Sequence, residues 1–141
     1  MSTHLTYEHS SLFFRTLSAN GLFSVTSGFI MLAMSGSLSS FLGLSDHRWL
    51  LGLGGILLVF GGALLLRARS RCVTRVEAIA ISAMDLGWVV ASIVLIVALP
   101  GLFTSSGMIA ILAVAAVVLA FFELQAFALW KTRAQSPARR C

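Results

Sequence analysis

The chain has 141 residues, of which 58% are hydrophobic and 11% charged, and a mean hydropathy of +0.96. A soluble domain carries about 25% charged residues, so this chain has too few to cover a water-facing surface. Its net charge of +5 comes from cations that flank apolar stretches, not from basic runs interleaved with aromatics. That placement argues against nucleic acid and for lipid headgroups as the partner.

The first ten residues, MSTHLTYEHS, lack the positive n-region and cleavage site of a signal peptide. The first apolar stretch is therefore expected to stay as a span. Residues 16–45, 49–66 and 86–122 carry no charged side chain. About 20 apolar residues cross a ~30 Å hydrocarbon core. Taken in order, the predicted spans cover residues 11–38, 48–66, 76–99 and 105–130. Between the first two, SGSLSSFLGLSDH reads as a Ser/Gly-rich loop whose residues 41–44 dip into the membrane interface. Pro100-Gly101 is a turn signal between the last two. Short connections make successive helices antiparallel neighbours. The expected fold is all-α, a transmembrane four-helix antiparallel bundle running up-down-up-down. It forms one domain over residues 1–134, followed by a short basic tail over 135–141 that is expected to be disordered.

Arginine placement sets an orientation. Arg67, Arg69, Arg71 and Arg75 crowd the linker between spans two and three, Lys131, Arg133, Arg139 and Arg140 follow span four, and Arg15 opens span one. The opposite side holds Arg48 alone, nine cations against one. The positive-inside rule then puts both termini in the cytoplasm, and the expected location is a bacterial inner membrane. Cys72 and Cys141 fall on the same, reducing side, so a disulfide is not expected.

Small residues mark where membrane helices can approach closely. Span two carries Gly52, Gly54, Gly55, Gly61 and Gly62, with the 54/61 and 55/62 pairs repeating at seven. Span three has Ala83, Gly87 and Ala91 at intervals of four, and span one has Gly21, Ser24 and Gly28. Two uses remain open for Gly54, Gly55, Gly61, Gly62 and Gly87: packing within the bundle, or a homo-oligomer formed through the glycine face of span two. A weak internal repeat at an offset of 65 sets Asn20 on Asp85, Phe23 on Trp88 and Ser27 on Ser92. It would be a parallel duplication of a two-helix unit.

Ionisable groups inside a bilayer are costly, and hence functional or paired. Arg15, Asp85 and Glu123 stand within the predicted spans, with Asn20 one to two turns deeper than Arg15. Ser82, Asp85 and Ser92 share a face of span three with Ala78 and Trp88 beside them, and Ala116, Ala120, Glu123 and Phe127 form a stripe on span four. These stripes would face each other and Arg15, giving an intramembrane polar cluster of Arg15, Asn20, Asp85, Trp88 and Glu123. One reading is a structural ion pair between Arg15 and one of the acids. The other is a polar pocket open to the cytoplasm. Two deep acids face one deep cation, so one acid must be solvated or carry a proton.

No cofactor is expected. His4, His9 and His47 lie at the terminus or in a loop, not within a span where a membrane haem would need them. Metal-ligand spacings are missing too, and Ser35 to Ser40 has no His/Asp partner in a nucleophile motif. Trp49 and Trp130 sit at span ends, where aromatic belts form.

The combination of residues 15–28 (RTLSANGLFSVTSG), 42–44 (LGL), 54–62 (GGILLVFGG) with Arg67-Ala68-Arg69, 85–92 (DLGWVVAS) and 124–129 (LQAFAL) resembles small bacterial four-helix inner-membrane proteins of the DoxX-like group in size and layout. The resemblance implies a place beside quinone-linked redox complexes, although the chain has no redox residues of its own. The expected function is non-enzymatic: an accessory subunit of a larger membrane complex, or a protein that binds a small hydrophobic ligand. The rival is a small proton-linked transporter using Asp85 and Glu123.

Overall fold

A computed structural model describes residues 11–71, 73–99 and 101–133. The basic tail 135–141, His4, His9, Cys72, Pro100 and Cys141 lie outside the described residues. Five helices form an all-α bundle: α1 (Ser11–Ala33), α2 (Ser35–Leu42), α3 (Arg48–Ser70), α4 (Arg75–Ala98) and α5 (Ser105–Arg133). The described residues contain no strand. Four of the helices, α1, α3, α4 and α5, are long and apolar enough to cross a membrane. Large apolar side chains such as Phe29, Val59, Val76, Val97 and Ile109 cover the outside, which is the surface of a multi-pass membrane protein and not of a soluble one.

The tightest packing joins α1 to α3, and it is made of backbone. A Cβ built on Gly61 would stand 2.7 Å from the Gly21 carbonyl oxygen, and one on Gly28 would stand 2.7 Å from that of Gly54. Gly21 meets Gly61 while Gly28 meets Gly54, so the two helices run antiparallel. Lipid supplies no hydrophobic drive between helices, and close van der Waals contact takes its place. Of the expected glycine set, only Gly54 and Gly61 serve this seam. A Cβ added at Gly55, Gly62 or Gly87 would meet nothing within 4 Å, and the same holds for Gly52. The reason is angular: one residue of helix turns about 100°, so Gly55 and Gly62 look past α1 when Gly54 and Gly61 look at it. On α4, Asp85 and Ser82 turn inward, which carries Gly87, Ala83 and Ala91 to the outside.

The first linker differs from the expected loop. The chain breaks at Met34 and then forms α2, whose residue Gly43 adopts φ 88° and ends it. The Gly43 and Leu44 N–H groups both donate to the Ser39 carbonyl at 2.9 Å, the left-handed helix end that glycine permits. Ser and Gly dominate this segment and favour helix weakly; docking decides. The Thr104 N–H donates to the Leu42 carbonyl at 3.0 Å, and a Cβ on Gly107 would stand 2.9 Å from Leu42 Cα. α2 is thereby tied to the start of α5, where the Gly107 N–H donates to Thr104 Oγ1 at 3.0 Å as an N-terminal cap.

At the arginine-rich end, the turn between α3 and α4 is short. Arg71 takes a left-handed φ of 51°, and Thr74 and Glu77 form a reciprocal capping box at the start of α4. Arg67 Nη2 meets Glu77 Oε1 at 2.7 Å. Beneath this turn lies the apolar core, with Phe13, Leu17, Leu64, Val73, Ala78 and Ala128 buried together. Among the described residues, no Cα of α4 comes within 8 Å of one in α3 or α1.

The seam yields a test. Gly61→Ala or Gly54→Ala should lower stability by about 1–3 kcal/mol through overpacking, read as thermal melting in detergent. Gly55→Ala and Gly62→Ala should be neutral or slightly stabilising, because alanine favours helix. Equal losses at all four positions would mean that the face of Gly55 and Gly62 is covered as well.

Candidate functional site

α4 presents one polar face. Ala78, Ser82, Asp85, Val89 and Ser92 are its buried residues, at the three- and four-residue spacings that share a helix side. Asp85 is only 3% exposed, ten residues into a helix of rise 1.5 Å, or ~15 Å from its start. A carboxylate taken out of water needs strong hydrogen bonds. Two amides supply them. Asn20 Nδ2 on α1 donates to Asp85 Oδ2 at 2.7 Å, and Gln125 Nε2 on α5 donates to the same oxygen at 2.9 Å. The network continues outward from both. Ser82 Oγ donates to Gln125 Oε1 at 3.2 Å, and Ser24 Oγ makes a long 3.5 Å contact with Asn20 Oδ1.

Both amides converge on one carboxylate oxygen, Oδ2. Among the described residues none donates a hydrogen bond to Oδ1. Among the described residues every fully enclosed side-chain polar atom has a partner, so Oδ1 is not enclosed. Beside it lies a cavity of about 150 Å³ that Asp85 lines together with Asn20, Ser24, Ser27, Phe23 and Trp88. All four long helices contribute to the wall, and most of it is apolar: Met31, Phe60, Met84 and Val118 complete the lining.

Phe60, which lines the cavity, also packs against the apolar core around Phe13 and Leu17. The cavity's mouth is lateral. Ile56 of α3 and Met84 of α4 both line it and are 67% and 58% exposed on the outer surface. It therefore opens where α3 and α4 stand apart.

Of the predicted cluster, Asn20, Asp85 and Trp88 meet around this cavity. Arg15 and Glu123 do not join them: both are exposed. The ion pair present among the described residues, Arg67 with Glu77, lies at the helix ends. Arg15 has a side chain long enough to reach the interface from its position near the start of α1. Neutral amides satisfy Asp85 without a second charge to desolvate. The α5 stripe is also rotated from the expected one. Ala116, Ala120, Glu123 and Phe127 face outward, while Ala115, Val118, Gln125 and Ala128 are buried. Gln125, at 0% exposure, is the residue that sequence reasoning missed. Its signal was available: it stands seven after Val118 and three before Ala128, and is the one amide in α5.

Among the described residues no group of three or more His, Cys, Asp or Glu side chains could hold a metal ion. Compared with protein-family models, curated proteins and solved structures, the chain gives no match. Function is therefore read from the bundle and its cavity.

The carboxamide knot predicts a pattern of coupling. Double-mutant cycles on detergent stability should give about 1 kcal/mol between Asp85→Ala and Gln125→Ala, and a similar value with Asn20→Ala, since membrane polar contacts are modest. Arg15→Ala and Glu123→Gln should each be additive with Asp85→Ala. Coupling to Arg15 larger than to Gln125 would restore the ion pair.

Proposed function

We propose that this chain is a non-enzymatic membrane protein that takes up a small hydrophobic molecule from the lipid through the gap between α3 and α4. The observation that carries this reading is the lateral cavity, mostly apolar in its walls and fed by a mouth at Ile56 and Met84. Ligand sites are concave, chiefly apolar, and carry a few placed polar groups; here those are Asp85, Ser24 and Ser27. Ile56 and Met84 line the cavity and stand exposed on the outer surface, so entry from the hydrocarbon is the direct route. The rival reading, a proton-linked transporter using both acids, draws on the open Asp85 Oδ1 but loses Glu123, which stands outside the cavity.

In this proposal the four long helices cross the membrane alternately up and down. Both termini and the arginine-rich turn at Arg67, Arg69, Arg71 and Arg75 face the cytoplasm, following the nine-to-one distribution of cations. The membrane is the bacterial inner membrane, and a DoxX-like role as accessory subunit of a larger complex belongs to the same proposal. The outward small residues Gly55, Gly62 and Gly87 leave room on α3 and α4 for a second copy or another subunit. Reporter fusions at Ser45 and Ser105 should read periplasmic and one after Arg71 cytoplasmic. A periplasmic signal after Arg71 would invert the topology.

Ligand uptake is tested with a neutral one-ring probe. Ethylbenzene added to the purified chain in mild detergent should raise the melting temperature as its concentration passes Kd. Ser27→Phe, which fills the cavity, should abolish the rise. An equal rise in both proteins would place the probe elsewhere and remove the reading.

A further inference from the structure

The open oxygen of Asp85 narrows the class of ligand. Oδ2 is committed to two amide donors, from Asn20 and Gln125. Oδ1 has no hydrogen-bond partner among the described residues, on a residue that is only 3% exposed and lines the cavity. Among the described residues no cation pairs with Asp85, the ion pair at Arg67 and Glu77 lying at the arginine-rich turn. The cavity thus presents an acceptor of negative character with no cationic counterpart among the described residues.

The rest of the wall says what kind of counterpart fits. Phe23, Phe60 and Trp88 bring aromatic rings to the space, and Met31 and Met84 bring polarizable thioethers. Aromatic faces attract cations, most strongly where water is excluded. An inorganic ion is a poor match, because Ca²⁺ for example takes about six to eight oxygen ligands and the nearby oxygens are those of Asp85, Asn20, Ser24 and Ser27. An organic ammonium brings its own apolar body for the rings and thioethers, and its N–H groups suit Oδ1 and the serine hydroxyls. Size sets the limit. The volume of about 150 Å³ matches that of an engineered apolar cavity that admits benzene, and is below the ~300–1,000 Å³ of drug-sized sites.

The geometry points to a binding site for a small organic cation, a protonated amine on a single ring or short alkyl body, with the ammonium on Asp85 Oδ1 and the apolar part against Trp88, Phe23 and Phe60. This rests on the proposed uptake of a hydrophobic molecule through the same cavity and specifies its charge. Asp85 supplies the counter-ion, Asn20 and Gln125 are positioning residues that hold Oδ2 so that Oδ1 points to the cavity, and Ser24 and Ser27 offer secondary acceptors.

Benzylamine and ethylbenzene test this, since they differ by an ammonium in place of a methyl group. Benzylamine is charged at neutral pH. Their relative affinity for the full chain in mild detergent is read by ligand-observed NMR competition, which cancels partition into the micelle when Ser27→Phe serves as the filled-cavity reference. The expected result is binding of benzylamine about tenfold or more tighter than ethylbenzene to the unsubstituted protein. In Asp85→Asn the preference should vanish while ethylbenzene still binds. Equal affinities, or tighter ethylbenzene, in the unsubstituted protein would overturn the cation site and leave hydrophobic uptake standing; this comparison needs no variant at Asp85. Failure of both probes to bind would overturn both readings. An amine preference that survives Asp85→Asn would overturn the role given to Asp85.

Discussion

A single carboxylate oxygen joins three helices that otherwise meet unevenly. Asp85 Oδ2 receives Asn20 from α1 and Gln125 from α5, although no Cα of α1 comes within 8 Å of one in α4 among the described residues. Side chains bridge what backbone packing leaves apart. In lipid an unmade hydrogen bond has no water to fall back on, so a buried acid and two buried amides are held together by the cost of separating them. That same arrangement commits one carboxyl oxygen to the amides on a residue that also lines the cavity. The bundle's architecture and its candidate site are, at this residue, one feature.

The remaining packing divides the molecule in two. α1 and α3 are locked by the reciprocal contacts of Gly21, Gly28, Gly54 and Gly61, where any side chain would push the helices apart. α4 lies against α5 and reaches the first pair through the Asp85 knot and the apolar core at one end. α1 and α5 add an edge-on contact of Phe23 with Phe121, ring centroids 5.9 Å apart. A cavity arises where backbone seam, core and knot all stop, on the side where α3 and α4 diverge. Its position follows from the distribution of small residues: the glycines of α3 that could have drawn α4 close, Gly55 and Gly62, are turned elsewhere.

How much of this the sequence made legible depended on the kind of signal. Uncharged runs such as residues 49–66 and 86–122 announced long apolar helices, because composition alone carries that information. The inner face of α4 was readable as well, since Ser82, Asp85 and Ser92 are polar exceptions on an apolar cylinder and their spacing defines one side. α5 was not. It is apolar all round, so its rotation is set by partners and not by its own pattern, and Glu123 drew attention that belonged to Gln125, two residues and about 200° away. The pairing of Arg15 with an acid failed for an energetic reason: a flexible cation near a helix end gains more by reaching headgroups than by losing its hydration in the bundle. α2 was hidden because its Ser/Gly sequence has little helical preference, and its shape comes from contacts with Thr104 and Gly107, some 60 residues later. The offset of 65 that aligns Asn20 with Asp85 is the separation of two residues in direct contact, but α1 packs against α5 while α4 does not pack against α3, so the helix contacts do not repeat as a duplication would have them.

The order of the helices along the chain has a consequence for how such a protein is made. Synthesis delivers α1 and α3 first, and their glycine seam needs nothing from the later helices. α1, which carries Asn20, and α3 both precede α4 in the chain. The most expensive side chain in the bundle therefore meets a waiting donor upon arrival, and α5 brings the second donor, Gln125, afterwards. A carboxylate placed in the first span would have had to wait in hydrocarbon for both. In this chain the first span contributes a neutral asparagine to the knot, which costs far less to leave unpaired than a carboxylate while the rest of the molecule is still being translated.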